Sequence, residues 1–361
     1  MSREKWTRTD GSPDESGNAL HSIHGSSDKS AYWTPALYFM HENNDTELVN
    51  SHVTAAISYY LLYGDNVTAF PEGFRMIAGD TFQRDFQWPI PDPPQSEWAG
   101  SDISQAALRQ KAVGVNCLNY ANPPEPSLSR HFLPDKAFID QHCADGLRLE
   151  IMFPSSWDGR AADSVDHKSH LAYPSLVMDG AWDCLMLSRK LTREFRRWNV
   201  GFESRVVSMF YETIWNTTAF AAQAGTFVLS NGDPTGFGYH GDFMNGWESG
   251  VLEKAVAQCM NPSGMVEDCP VFDLQAESIQ ELCTVEIPAV LKNEDVHHWN
   301  KALPHDLAVQ YGPAYASPIV FYINPTPSVT PSGCQGPSIS SLPSPHKRSG
   351  RWKHRHGAYK H

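Results

Sequence analysis

The sequence predicts a mainly β fold, a β-sandwich of jelly-roll type with long loops and a few short helices. Three observations carry this expectation. The 361 residues include 26 Pro and 25 Gly but only 19% charged residues, a balance that favours turns over a helical bundle. Several short apolar runs are bounded by Pro or Gly and lack helical spacing. Hydrophobic residues make up 41% of the chain, with 11 Trp, 13 Tyr and 17 Phe, enough to bury a sizeable core.

Taken in order, residues 1–30 are polar and rich in Gly, Ser and Asp and read as a flexible segment. A single globular domain is expected over 31–302, with strands at 55–63, 73–78, 147–153, 205–212 and 225–230. In 147–153, Leu147, Leu149, Ile151 and Phe153 share one face and Arg148, Glu150 and Met152 the other, the period of a half-buried strand with Glu150 on its polar side. One helix is expected over 246–260, where Val251, Leu252 and Val256 recur at helical spacing, entered from a Gly-rich loop over 231–247. Residues 182–204 carry a sudden density of Arg and no strand pattern, and read as an atypical insertion. Residues 303–361 read as a Pro/Ser-rich linker and a basic, disordered tail.

The formal charge is −13, from 41 acidic and 28 basic residues. Six of the basic residues lie in 346–361, so the remaining 22 face all 41 acids. An acidic body without a basic stripe is a poor nucleic-acid partner, because phosphate neutralisation supplies most of that affinity. No stretch approaches the roughly 20 apolar residues of a membrane span. The first ten residues are polar and lack the roughly 7–15-residue apolar run of a signal peptide, which on its own reads as cytosolic.

Seven cysteines are present, none in a Cys-x-x-Cys pair, so zinc ribbons and thioredoxin-type chemistry lack their signature. Cys259 and Cys269 flank an Asn-Pro/Ser-Gly turn, the arrangement of a local disulfide. The odd total leaves at least one thiol over, and Cys334 in the tail is the expected orphan. Sequons at Asn44, Asn66 and Asn216 are compatible with secretion.

Sixteen histidines fall partly into clusters. Asp166-His167-Lys168-Ser169-His170 follows the 147–153 strand, His240-Gly241-Asp242 lies in the Gly-rich loop, and His21-Ser22-Ile23-His24 lies near the N-terminus. His-x-x-His suits two imidazoles on one turn, and His-x-Asp places two side chains on one face of extended chain. Together, His21, His24, His167, His170 and His240 offer nitrogens suited to Zn or Cu, with a carboxylate beside them. Metal-free hydrolysis of a glycosidic bond is the other chemistry, with an acid/base pair drawn from Glu150, Asp158, Asp166, Asp233 and Asp242. Trp157, Tyr173, Tyr239 and Trp247 are candidate stacking surfaces for sugar rings, with Asp158 and Asn245 as polar contacts. Each of these residues also has a plain structural reading: turn-capping for Asp242 and the loop histidines, core packing for the aromatics. No GxSxG, HExxH, P-loop or GxGxxG motif occurs.

Five blocks, in order, resemble one family: 28–38 (DKSAYWTPALY), 70–80 (FPEGFRMIAGD), 147–159 (LRLEIMFPSSWDG), 166–174 (DHKSHLAYP) and 232–247 (GDPTGFGYHGDFMNGW). The chain is similar over about residues 18–300 to the fungal domain-of-unknown-function family nineteen ninety-six, often found beside wall-binding WSC modules. The resemblance implies an extracellular or cell-wall protein near carbohydrate and implies no settled activity. It also matches Cys117 and Cys143 to family cysteines and suggests them as a second disulfide. Three places depart from the family pattern: the shortened His21–His24 block, Ser156 where the family carries Cys, and the Arg-rich 182–204 segment. These are departures that a skipped exon and a retained intron would leave, or that a divergent paralogue would carry. The expectation is therefore a protein that acts on or binds wall polysaccharide, with a metal-assisted hydrolase as one form. In that form His240 or Asp242 positions a metal or water and Asp166 or Glu150 serves as acid/base. A non-catalytic carbohydrate- or metal-binding protein is the alternative.

Overall fold

The computed structural model describes residues 2–6, 20–21, 27–49, 51–62, 66–177, 201–259, 261, 265–274 and 300–318. The chain divides into a unit spanning Met1–Ile319 and a second, Val320–His361, which lies outside the described residues together with most of the 182–204 segment.

The first unit is built from β-sheets, as the Pro/Gly punctuation predicts. The largest has the order β1 (Ser2–Trp6), β6 (Ser51–Leu61), β14 (Ser208–Trp215), β10 (Gly146–Met152) and β9 (Val113–Leu118), antiparallel throughout. A second antiparallel sheet runs β2 (Leu20–His21), β3 (Ala31–Trp33), β16 (His240–Met244) and β8 (Arg75–Gly79). Two smaller sheets complete the body: β15 (Gly225–Leu229), β4 (Leu37–His41) and β5 (Thr46–Leu48), and β12 (Leu171–Ala172), β11 (Ser156–Trp157), β13 (Ser204–Val206) and β7 (Val67–Thr68).

The first two sheets stack face to face. Leu149, Ile151, Phe153 and Tyr211 from the large sheet meet Tyr32, Met76 and Phe243 from the second in one buried cluster, with Tyr32 and Tyr211 ring centroids 5.7 Å apart. Gly241 makes this approach possible, because a Cβ there would sit 2.8 Å from Phe153 Cζ. The alternation of β16 then sends Phe243 into the core and His240 and Asp242 to the opposite face.

β10 is buried on both faces, which corrects the half-buried expectation for 147–153. Its second face carries Met152 into a cluster with Leu61, Leu108, Ala112, Leu128, Tyr173 and Phe210. The cover is non-local: helix α1 (Gln105–Lys111) and the 125–128 segment lie over it. The expected 246–260 helix is present as a shorter α3 (Val251–Gln258), because Gly250 at its N-cap is left-handed, with φ +81°. α1 and α2 (Lys136–His142) are each one to two turns long, capped by the Ser104 and Asp135 side chains, which accept hydrogen bonds from Ala107 N and Phe138 N. The 231–247 segment, read as a loop, ends in strand β16.

Both expected disulfides are present, Cys117–Cys143 and Cys259–Cys269. The first ties β9 to the C-cap of α2 across 26 residues, a loop whose closure stabilises by about 3–4 kcal/mol. Among the described residues no helix is long and apolar enough to cross a membrane.

Candidate functional site

The outward face of the second sheet, where β8 and β16 lie side by side, gathers the most chemistry. In register, Asp242 pairs with Ile77 on one side and Trp33 on the other, and His240 pairs with Gly79. Gly79 has φ +75°, and a Cβ there would stand 2.5 Å from the Tyr239 carbonyl, so only glycine lets β8 end this close to His240. The Trp33 ring lies 5.1 Å from the His240 imidazole.

A loop over 158–170 closes against the free edge of β8. Arg75 N donates to Ala162 O and Ile77 N to His167 O. The loop is shaped by its own carboxylates. Asp158 accepts from Arg160 N and Ala161 N, and Asp166 accepts from Ser164 Oγ, Lys168 N and Ser169 N. The outcome is to set Lys168 over the sheet, where its charge acts on Asp80, Arg109, Asp166 and Asp242.

The electrostatics of this face are those of groups taken out of water without, among the described residues, an oppositely charged partner in direct contact. Burial pushes Asp242 up to about 6, against the attraction of Lys168 and His167, and its buried Oδ1 has no hydrogen bond among the described residues. Burial also lowers His240 to about 4, with the Gly238 carbonyl opposing and Lys168 adding to the shift. His240 Nδ1 lies 2.9 Å from Gly238 O, so the neutral ring donates there and keeps Nε2 as an acceptor. Lys168 is lowered by burial, with Asp80 opposing and Arg109 repelling it.

Next to Gly79, a cavity of about 90 Å³ is lined by Asp80, Gln83, Arg109, Gln110 and Phe237. Its wall is held by Arg84, which donates to the carbonyls of Thr81, Asn231 and Gln310 and pairs with buried Asp233 at 3.5 Å. Asp233 in turn accepts from Thr235 N and Gly238 N, so its role is to shape the 231–239 loop. Residues 310–317 run along this wall, with Ala316 N donating to Phe82 O. That strap brings the Tyr315 hydroxyl onto Asp80 Oδ2 while leaving Tyr315 56% exposed.

Of the sequence candidates, His240, Asp242 and the loop bearing His167 come together here. The others serve the fold. Asp166 is an exposed turn cap. Burial opposes ionisation, yet hydrogen bonds from Ser169 N and Ser164 Oγ hold its carboxyl well below the usual range, which is the wrong direction for a general acid. Glu150 is completely buried on the far side of the sandwich, so it cannot form a pair with Asp242. Tyr239 is completely buried and hydrogen-bonded to Thr213 Oγ1, and burial raises it to about 12; Tyr173 is buried under Met152 O. Trp157 donates to Ala161 O and packs on Phe74, Trp247 donates to Tyr60 and packs on Phe272, and Asn245 is spent on the Phe70 and Pro71 carbonyls. These aromatics are therefore packed residues and not open stacking platforms.

The histidines do not converge. His167 is left-handed, with φ +52°, so His167 and His170 do not share a helical turn. His167 Nδ1 is engaged by Asp163 at 2.6 Å, whereas His170 turns inward to Phe74 and Ser164. Among the described residues no three His, Cys, Asp or Glu side chains are placed to hold a metal ion. His21 pairs in register with Ala31, and His24 lies outside the described residues. Sequence reasoning missed Lys168, Asp80, Arg109 and Tyr315. Lys168 lies inside the His-x-x-His that drew attention, and Arg109 sits on a helix whose only sequence signal is the Ser104 cap.

Neither a curated protein nor a solved structure matches this chain. A family model described as "Domain of unknown function (DUF1996)" matches residues 7–247. The five sequence blocks of the resemblance supply both strands of the outward face, its covering loop and the start of the cavity wall, and the chain belongs to the DUF1996 family.

Proposed function

We propose that this protein cleaves polysaccharide outside the cytosol, at a cell wall, with Asp242 as general acid and Asp80 as the carboxylate that activates water. The observation that carries the reading is Asp242: a half-buried carboxyl pushed up to about 6 by burial, on the face of β8 and β16 whose Gly79 and Asp80 end lines a cavity. A carboxyl raised in this way donates a proton to a leaving oxygen at mildly acid pH. Asp80 directly follows Gly79, the residue where β8 ends beside His240, and its charge and that of Asp242 both act on Lys168. Inverting glycosidases separate their carboxylates by about 6.5–9.5 Å to admit a water. Neutral His240, with Nε2 free of the Gly238 contact, is placed to accept a hydrogen bond from a substrate hydroxyl.

Two disulfides support a site of action in an oxidising compartment, and the sequons at Asn44 and Asn66 are exposed turns. The acidic body argues against a nucleic-acid substrate. Binding without cleavage is the second reading. It is favoured by Tyr311 and Tyr315, 62% and 56% exposed on the strap, where aromatic faces suit sugar C–H surfaces. Release of reducing ends from a panel of wall polysaccharides at pH 5, compared between wild type and Asp242→Asn, separates the two. Cleavage lost in the variant supports catalysis, and binding with no cleavage in either protein supports the second reading.

A further inference from the structure

Two cations beside the proposed catalytic face lack direct counter-ions. Arg109 and Lys168 are both half-buried, and among the described residues neither makes a hydrogen bond through its charged end or an ion pair. They repel one another, since Arg109 is among the charges that make Lys168 harder to protonate. The nearby carboxylate that acts on Lys168 most strongly, Asp80, already accepts from Phe82 N and the Tyr315 hydroxyl. Among the described residues, three other buried cations sit beside carboxylates: Arg84 by Asp233, Lys111 by Asp92 and Asp102, Arg148 by Glu150 and Glu212. No nitrogen of either charged end is both sealed from solvent and unpartnered, so both ends reach water and stay available to an anionic ligand.

We propose that Arg109 and Lys168 form a subsite for a small oxyanion on the substrate, the carboxylate of a uronic-acid residue. This rests on the reading of Asp242 and Asp80 as the cleavage pair and names the substrate class they act on. The cavity that Arg109 lines measures about 90 Å³, room for a carboxylate group. A guanidinium matches a planar carboxylate through two parallel hydrogen bonds, and Lys168 adds a point charge from the loop.

The test measures binding by calorimetry at pH 5 in the full chain carrying Asp242→Asn, which mimics the protonated acid and stops turnover. The probes are polygalacturonate, its carboxyl-reduced neutral counterpart and a sulfated galactan. The expected result is polygalacturonate bound at least about 10-fold tighter than the neutral polymer, with Arg109→Gln and Lys168→Met each removing most of that preference and leaving neutral binding unchanged. Arg109→Lys retains part of it. Inorganic phosphate, added at constant ionic strength, competes with polygalacturonate, a readout that needs no second substitution if Arg109→Gln does not fold. Equal affinity for the anionic and neutral polymers, or an unchanged preference in folded Arg109→Gln, overturns the subsite. A sulfated galactan bound as tightly as the uronate overturns the commitment to carboxylate. The uronate preference without cleavage by wild type leaves the subsite standing and removes the cleavage reading; cleavage without the preference does the reverse.

Discussion

The molecule carries two clusters of buried charge on opposite faces of the same sandwich, and they are built on different plans. On the far face, Glu150 is sealed: Leu128 N donates to it, Arg148 pairs with it at 2.8 Å, and Arg148 also reaches Glu212, whose other oxygen accepts from Tyr59. A Cβ on neighbouring Gly114 would stand 2.5 Å from Glu150 Oε2, so nothing enters. On the near face, among the described residues, Asp242 Oδ1 has no hydrogen bond and Lys168 no ion pair, and a cavity opens at Gly79 and Asp80, at the end of the same strand pair. Both carboxyls are raised by burial, Glu150 to about 7 and Asp242 to about 6. A raised carboxyl therefore does not by itself mark a functional site. The partners decide: a carboxylate whose two oxygens are both taken up by the protein makes a structural knot, whereas one with an oxygen left over beside open space makes a place where a ligand completes the set.

The comparison breaks most sharply on activity. Asp242→Asn is expected to lower polysaccharide cleavage by about 100- to 10,000-fold, the usual worth of a positioned acid, checked by reducing-end release. In Glu150→Gln, which keeps the shape of the sealed side chain, any loss of cleavage should follow only the fraction unfolded.

Stability separates the faces next, with opposite signs. Glu150→Ala leaves Leu128 N and part of Arg148 without a partner inside the protein, and is expected to cost about 3 kcal/mol in urea unfolding at pH 7. Asp242→Asn is expected to stabilise by about 1–3 kcal/mol at pH 7. The folded Asp242 carboxyl is raised from 3.8 to about 6, so its protonated form favours folding below the unfolded value, and that benefit is lost as pH rises through 6. The variant's advantage should therefore be full at pH 7 and vanish by pH 4. His240 runs the other way: lowered to about 4, it supports folding above its ordinary value and loses that support as pH falls from 6.5 toward 4. The smallest effect is expected at the rim. Tyr315→Ala should raise KM about 3- to 10-fold while urea unfolding shifts by less than about 0.5 kcal/mol.

How much of this the residues announce depends on how local the cause is. The strands at 75–79, 146–152 and 225–229 are bounded by their own turns and alternate by their own pattern, so they are legible in the chain. The His240-x-Asp242 spacing likewise carries its meaning within three residues, two side chains on one face of a strand. Glu150 was misplaced because what buries it, the 125–128 segment and α1, comes from more than 20 residues away. Tyr239 and Trp247 look like open platforms until the hydroxyls of Thr213 and Tyr60 meet them from β14 and β6. Arg109 and Tyr315 reach the site only because α1 meets the end of β8 at Gly79 and Asp80 and Arg84 anchors the strap at Gln310, contacts that no local pattern encodes.

The pH dependence of cleavage tests the central claim most directly. Initial rates of reducing-end release from polygalacturonate, measured from pH 4 to pH 8 with wild type and Asp242→Asn, should show wild-type kcat falling tenfold per unit above about 6, because Asp242 must carry its proton to act, and the variant should be flat and near background. A wild-type rate that holds or rises through pH 8, or an Asp242→Asn protein that retains wild-type activity, would contradict the assignment of the near face as the catalytic one.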